Sequence, residues 1–341
     1  GIPQGSLESA AIIADSQTGE ILAMVGGRDA RVDGFNRAIN AFRPIGSLIK
    51  PVIFLSAIES GMHLASVIED SPITITPKFG EPWSPKNFDG EHRGELPLVR
   101  ALGQSLNLAT VRLGEEIGLV KIRQRYAELM NKPAKNKYHS FFLGAEALAP
   151  IEVLELYNNF ASGGFQTPPK AVIAAVDSSN QLIDQRPFNI KNSIEFDAVN
   201  AINRGLEVVM THGTGRSSPY SKLGIAGKTG TSNDNRDSWF AGFDNAHSWI
   251  IWVGRDDNQT TGLTGSSGAL RIWNNLINRQ GIEPLQHLSN EHLVEIEFLT
   301  GLVARPSCAN TVPIPIAQKT SLPVKAGCGI KQRRYRTRYR E

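Results

Sequence analysis

Three short polar motifs stand in fixed order along a chain of 341 residues: Ser47-Leu48-Ile49-Lys50, Ser105-Leu106-Asn107 and Lys228-Thr229-Gly230-Thr231. Each alone is common, because S-x-x-K and S-x-N occur by chance at helix starts and in solvated turns. Their conjunction is not, and a fold that uses all three has to gather groups far apart in the sequence. A serine hydroxyl is a poor nucleophile near neutral pH. It needs a base within hydrogen-bond reach and donors for the developing oxyanion. Taken together the motifs read as a serine acyl-transfer site.

Ser47 is the candidate nucleophile. Lys50 lies three residues on, one helical turn along the same face, where a base can touch it. A lysine at its reference pKa of about 10.4 is a bad base at pH 7, so Lys50 has to be desolvated or placed near positive charge. Leu48, Ile49, Pro51 and Val52 surround it with apolar chain, and a helix N-terminus and Lys228 supply positive potential. Ser105 and Asn107 fall at a break between helical runs, where short polar side chains can face a cleft: Ser105 as a proton relay, Asn107 as an amide contact. Asn107 also suits an N-cap of the following helix, and the two roles are compatible. Lys228 and the hydroxyls of Thr229 and Thr231 suit a substrate carboxylate, and Gly230 marks close backbone approach on a strand. The backbone N–H groups of Ser47 and Thr231 are the candidate oxyanion hole.

Composition removes other function classes. The chain is long enough for about two domains at ~150 residues each. With 40% hydrophobic residues and a net charge of only +3, it is a folded globular chain without the basic footprint of a nucleic-acid binder. No apolar run approaches the ~18 residues of a membrane span. The sequence opens at Gly1 with neither initiator Met nor signal peptide, which suggests a fragment or processed product. The two cysteines have no C-x-x-C spacing and the seven histidines no H-E-x-x-H pattern, so neither metal nor cofactor is expected.

The order of elements is strands, helices, strands, helix. Ser9–Asp15 and Glu20–Gly26 form a hairpin around Ser16-Gln17-Thr18-Gly19. Ser47–Ser60 suits a buried helix, and Pro51 fixes its start, since proline is tolerated only in the first turn. Asp70–Gly94, rich in Pro and Gly, reads as a long loop. Leu96–Leu129 is helical with breaks at Gln104-Ser105 and Gly118, and Pro150–Ala161 is another helix. Ala171–Asp177 with Leu182-Ile183 reads as a small hairpin, and Asp197–Met210 as a helix. Leu223–Gly230, Ser238–Gly242 and His247–Gly254 suit an antiparallel meander before a last helix at Gly268–Asn278. The expected architecture is α+β (mixed), an antiparallel sheet with helices on its faces.

The motif set is one already known from penicillin-binding proteins and class A β-lactamases, so recognising it is not a new inference. The surrounding text carries the resemblance further. It includes Ala23-Met24-Val25-Gly26-Gly27, Phe35-Asn36-Arg37-Ala38, Pro44-Ile45-Gly46 before Ser47, Trp83-Ser84-Pro85-Lys86-Asn87 and Leu143-Gly144-Ala145. It continues with Ala161-Ser162-Gly163-Gly164, Gly213-Thr214-Gly215-Arg216, Asp237-Ser238-Trp239-Phe240-Ala241-Gly242 and Trp252-Val253-Gly254-Arg255-Asp256. Over roughly residues 7–280 the chain resembles the transpeptidase domain of class A penicillin-binding proteins, most of all the 1b type of Gram-negative bacteria. The resemblance implies the penicillin-binding protein/serine β-lactamase-like fold. The domain is expected at 1–285, with an N-terminal hairpin at 9–26, a helical layer at 45–161 and C-terminal strands at 223–254. An extension with a basic tail follows at 286–341.

Further implications are a serine D,D-transpeptidase that cross-links peptidoglycan stem peptides, acylation at Ser47 by β-lactams, and Trp83 as a substrate contact. The chain is also expected to sit on the periplasmic face of the inner membrane, with an anchor and a glycosyltransferase domain upstream and cell-wall synthesis regulators as partners. The alternatives are a β-lactam-sensing receptor domain and a β-lactam hydrolase or D,D-carboxypeptidase. A class A β-lactamase needs an E-x-x-L-N carboxylate, and the nearest text, Glu152-Val153-Leu154-Glu155-Leu156-Tyr157-Asn158, is helix-like instead. The run Lys331–Arg340 reads as a solvated tail, with contact to an anionic surface as the alternative. The periplasmic location implied by the resemblance favours a disulfide between Cys308 and Cys328, with two free thiols as the alternative.

Overall fold

Strands from the two ends of the domain share one sheet. The computed structural model describes residues 6–28, 34–76, 81–185, 191–287, 292–305, 308–316 and 322–323. Its central sheet has β1 (Glu8–Asp15), β2 (Ile21–Val25), β3 (Ala226–Thr231), β4 (Ser238–Phe243) and β5 (His247–Gly254) in the order β3-β4-β5-β1-β2, all antiparallel. The expected hairpin opens it: Asp15 Oδ1 accepts from the N–H of Gln17 and Thr18, and Gly19 takes the left-handed φ of 76° that closes the turn. In β4 and β5 nearly every residue is apolar because both faces are covered. Trp239, Ala241, Phe243, Ile250 and Trp252 face the main core, while Phe240, Trp249, Ile251 and Val253 face a second one.

Among the described residues there are eight α-helices: α1 (Arg37–Asn40), α2 (Lys50–Glu59), α3 (Leu98–Gly103), α4 (Asn107–Ile117), α5 (Leu119–Met130), α6 (Pro150–Ala161), α7 (Phe196–Thr211) and α8 (Ala269–Gln280). The main core joins α2, α6 and α7 to one face of the sheet, and α8 covers the other through Leu270, Trp273 and Ile277. In α2 every residue from Lys50 to Ala57 is buried, so this helix runs through the core and not over its surface. The breaks expected at Gln104-Ser105 and Gly118 separate α3, α4 and α5. The Asp70–Gly94 loop is pinned at its ends, where Val67–Asp70 pairs with Gly94–Pro97. Among the described residues no helix is long and apolar enough to cross a membrane.

Beyond residue 286 the chain still contributes structure. Leu293–Glu297 and Thr311–Pro315 pair, and Ile296, Val312 and Ile314 pack on Leu64, Val99 and Val208 of the main body. Cys308, in a bend before the second of these strands, is a disulfide cysteine. Cys328 and the basic run 331–340 lie outside the described residues. We propose a Cys308–Cys328 bridge that closes a loop worth about 3 kcal/mol in the chain-entropy picture. Peptide mapping without reductant is expected to recover both cysteines in one linked fragment. Two alkylatable thiols in the unfolded, unreduced chain would rule the bridge out.

Candidate active site

Ser47 is set by the packing of its own turn. The helix expected from Ser47 begins one residue earlier as a tight 3₁₀ turn, Gly46–Ile49, that runs into α2. In that geometry residues three apart eclipse, so Ser47 and Lys50 share a face more directly than in an α-helix. Gly46 has φ 53°, and a Cβ there would lie 2.3 Å from the Thr231 carbonyl oxygen, so glycine lets this turn rest on the end of β3. The Tyr157 hydroxyl donates to the Leu48 carbonyl at 3.0 Å, and Trp239 Nε1 to the Pro44 carbonyl at 3.0 Å. The half-buried Ser47, the candidate nucleophile, therefore stands on a hydrogen-bonded turn.

Lys50 and Lys228 are both fully buried and converge on Ser105. Lys50 Nζ donates to the Ser105 carbonyl at 2.6 Å, to Asn107 Oδ1 at 2.7 Å and to Ser105 Oγ at 3.3 Å. Lys228 Nζ donates to Ser105 Oγ at 2.9 Å and to the Thr229 carbonyl at 2.9 Å. Ser105 sits in the α3–α4 turn at φ 57°, a conformation that costs an L-residue roughly 1–2 kcal/mol. That strain turns both its carbonyl and its hydroxyl toward the lysines.

Burial lowers the Lys50 pKa far below the ordinary lysine value, and the nearby charge of Lys228 lowers it further against the opposing pull of Asp70. Burial brings Lys228 down to about 7. Lys50 bears both penalties and Lys228 the burial penalty, so each gives up its proton more readily than an exposed lysine.

The remaining motif residues line the same cleft of about 460 Å³, with Ser47, Ser105, Asn107, Thr229 and Thr231 on its walls. Gly230 is buried behind them, where a Cβ would lie 2.8 Å from the Ile45 carbonyl oxygen. Its missing side chain therefore lets β3 approach the turn that carries Ser47. The Thr229 hydroxyl is 2.6 Å from that of Thr214, and Thr231 Oγ1 accepts from the Gly265 N–H at 3.0 Å. Asn107 is the first residue of α4, and Leu106 is the N-cap. Its side chain thus takes the amide-contact role and leaves capping to others. Trp83 lies in an adjoining cleft of about 630 Å³ with Phe42, Arg43 and Arg236, and Lys86 and Asn107 belong to both clefts.

Thr214, Gly265 and Asn87 went unrecognised as site residues in the sequence. Their only trace was local text such as Gly213-Thr214-Gly215-Arg216. Among the described residues no group of three His, Cys, Asp or Glu could hold a metal ion.

Comparison with known proteins gives the same reading. Residues 9–278 match the family described as the penicillin binding protein transpeptidase domain. Penicillin-binding protein 1B of Vibrio cholerae is 38% identical over 317 residues, covering 91% of this chain and 41% of its own length. Penicillin-binding protein 1B of Escherichia coli is 36% identical over 297 residues, covering 85% and 35%. The chain thus spans about two fifths or less of the length of these relatives. The crystal structure of penicillin-binding protein 1A from Haemophilus influenzae superposes with a TM-score of 0.80 at 25% identity, over 95% of this chain and 55% of that one. With its sheet, its three motifs around one cleft and this likeness over most of its length, the chain belongs to the penicillin-binding protein transpeptidase family.

Proposed function

We propose that this chain is a serine D,D-transpeptidase module that cross-links peptidoglycan stem peptides through an acyl-enzyme on Ser47. The observation that carries this reading is the pair of buried lysines meeting on Ser105, one as base and one as cation, beside a half-buried serine. Ser47 Oγ attacks the carbonyl between the two terminal D-alanines while Lys50 takes its proton. The Ser47 and Thr231 N–H groups receive the oxyanion, and Lys228 with Thr229 and Thr231 holds the terminal carboxylate. The C–N bond breaks, Ser105 passes its proton to the departing D-alanine and takes back the one Lys50 received from Ser47, and the ester remains on Ser47 with Lys50 an amine again. An amine of a second stem peptide, in the adjoining cleft past Trp83, attacks the ester and restores the serine. A β-lactam opens its ring on the same serine, but its leaving group stays tethered.

The 1b-type likeness supports a periplasmic site of action on a membrane-anchored protein. A glycan-polymerising domain and regulators of wall synthesis are proposed as its companions. Against the hydrolase alternative, the helical carboxylate Glu152 is occupied: it accepts from the Ala149 N–H at 3.0 Å and pairs with Lys132.

Mass spectrometry separates the readings. With a β-lactam, the peptide containing Ser47 is expected to gain the drug's mass. With a D-Ala-D-Ala donor and an excess of amine acceptor, the main product is expected to be the cross-linked amide. Rapid return to free enzyme with only hydrolysed donor would favour a hydrolase, and a lasting ester that never passes to an amine would favour a sensor.

A further inference from the structure

Helix α4 starts at the catalytic centre without a capping side chain of its own, because its N-cap is Leu106. The first N–H groups of a helix have no intrahelical partner and need one from elsewhere. Here they are met by two residues from another part of the chain. Asn87 Oδ1 accepts from the N–H of Asn107 at 2.6 Å and of Leu108 at 3.1 Å, and Asp70 Oδ1 accepts from that of Ala109 at 3.2 Å.

The two capping residues hold each other. Asn87 Nδ2 donates to Asp70 Oδ1 at 3.0 Å, to Asp70 Oδ2 at 2.9 Å and to the Glu91 carbonyl at 2.8 Å. Asp70 Oδ2 also accepts from the Arg93 N–H at 3.0 Å. Asp70 is fully buried and Asn87 is 5% exposed. Their amide and carboxylate orientations are thus over-determined by backbone partners. A carboxylate at the start of α4 also suits the positive end of the helix dipole.

The consequence reaches the base. Asn107 has its Nδ2 on the Lys86 carbonyl at 2.8 Å, which leaves Oδ1 facing Lys50 Nζ. Lys86 and Asn87 are adjacent, so one stretch of loop fixes the backbone, the side-chain amide and hence the acceptor oxygen of Asn107.

We propose that Asn87, locked by Asp70, is a positioning residue for acylation: a cap supplied from the 70–94 segment that holds Asn107 against Lys50. This rests on the acyl-enzyme reading above. Displacing a catalytic group by about 1 Å can cost about 10²-fold. Asn87→Ala is therefore expected to slow acylation by a labelled penicillin about that much, in the acylation rate constant and not in the affinity of the non-covalent complex.

The decisive measurement is a double-mutant cycle of Asn87→Ala and Asn107→Ala, scored per folded molecule. Loss of acylation in the double variant no greater than in the worse single one supports the proposal. Fully multiplicative losses overturn it, since Asn87 then acts independently of Asn107. If Asn87→Ala does not fold, the exchange Asp70→Asn with Asn87→Asp tests the same contact. Asn87→Asp alone sets two carboxylates face to face and is expected to acylate poorly, while the exchanged pair regains much of the rate. No recovery overturns the proposal. A parent chain that takes no label overturns the acyl-enzyme reading and the positioning role with it. A labelled parent with an equally fast Asn87→Ala variant overturns the positioning role alone.

Discussion

Ser47→Ala is expected to take up no fluorescent penicillin at all while keeping the parent's fold. The hydroxyl oxygen supplies the new ester bond, and the two lysines do not replace it, since both are fully buried with their Nζ atoms already hydrogen-bonded. The structural cost is small, because Ser47 is half-buried and the turn beneath it is held by Gly46, Leu48 and Pro44 and not by its side chain. Substitutions of that kind usually stay within about 0.5 kcal/mol. Labelling on a gel, with a thermal melt of the same sample, checks both halves. Labelling at the parent's rate would refute the nucleophile assignment.

Local chemistry made most of the elements legible. Asp15 and Gly19 specify a turn, Pro51 marks a helix start, and Gly118 ends α4 with a φ of 99°. The sheet order could not be read this way. The pairing of Ala10 with Trp252 and Ile12 with Ile250 joins segments from opposite ends of the domain. Nothing in either strand names its partner, since a β-branched or aromatic run fits any apolar neighbour. The extension was similarly opaque. Its alternation Thr311-Val312-Pro313-Ile314-Pro315 is a strand interrupted by prolines, and only the packing of Val312 and Ile314 on Val208 makes it part of the body.

The site divides along the same line. Ser47, Lys50, Ser105, Asn107 and Lys228 could be proposed from the sequence because the proposed reaction needs those side-chain types, and the structure brings them to one place. The residues that orient them act through backbone groups. Asn87 works by receiving the N–H groups of Asn107 and Leu108, and Tyr157 by donating to the Leu48 carbonyl. Such bonds leave no residue-type pattern, because any backbone can be the partner. Gly230 shows the reverse case. Its motif position suggests a ligand, but its missing side chain serves the fit of β3 against Ile45 and Leu48.

Lys50→Met should acylate about 10²–10⁴-fold more slowly than the parent, the range typical of losing a positioned base. Methionine keeps the length and apolar stem of the buried side chain, so the core around α2 stays filled and the loss reports chemistry. It does strip a donor from the Ser105 carbonyl and Asn107 Oδ1, so some stability is lost, and rates have to be referred to folded protein.

The pH profile of the parent is the companion measurement. In the proposed mechanism Lys50 acts as the neutral amine, whose fraction grows as pH rises, and burial with the charge of Lys228 moves that growth well below the usual lysine range. The second-order rate constant for acylation is therefore expected to climb well below the pH at which an ordinary lysine loses its proton. It should fall again as Lys228 loses the proton that burial leaves it only up to about 7 in the free enzyme. A bound carboxylate stabilises that ammonium, so under saturation the descending limb moves to higher pH. The two limbs are properties of the coupled pair. Lys50→Met removes the ascending limb, because no lysine at position 50 remains to titrate. A parent whose rate rises only toward pH 10, or a Lys50→Met variant with the parent's ascending limb, would show that Lys50 is not the base.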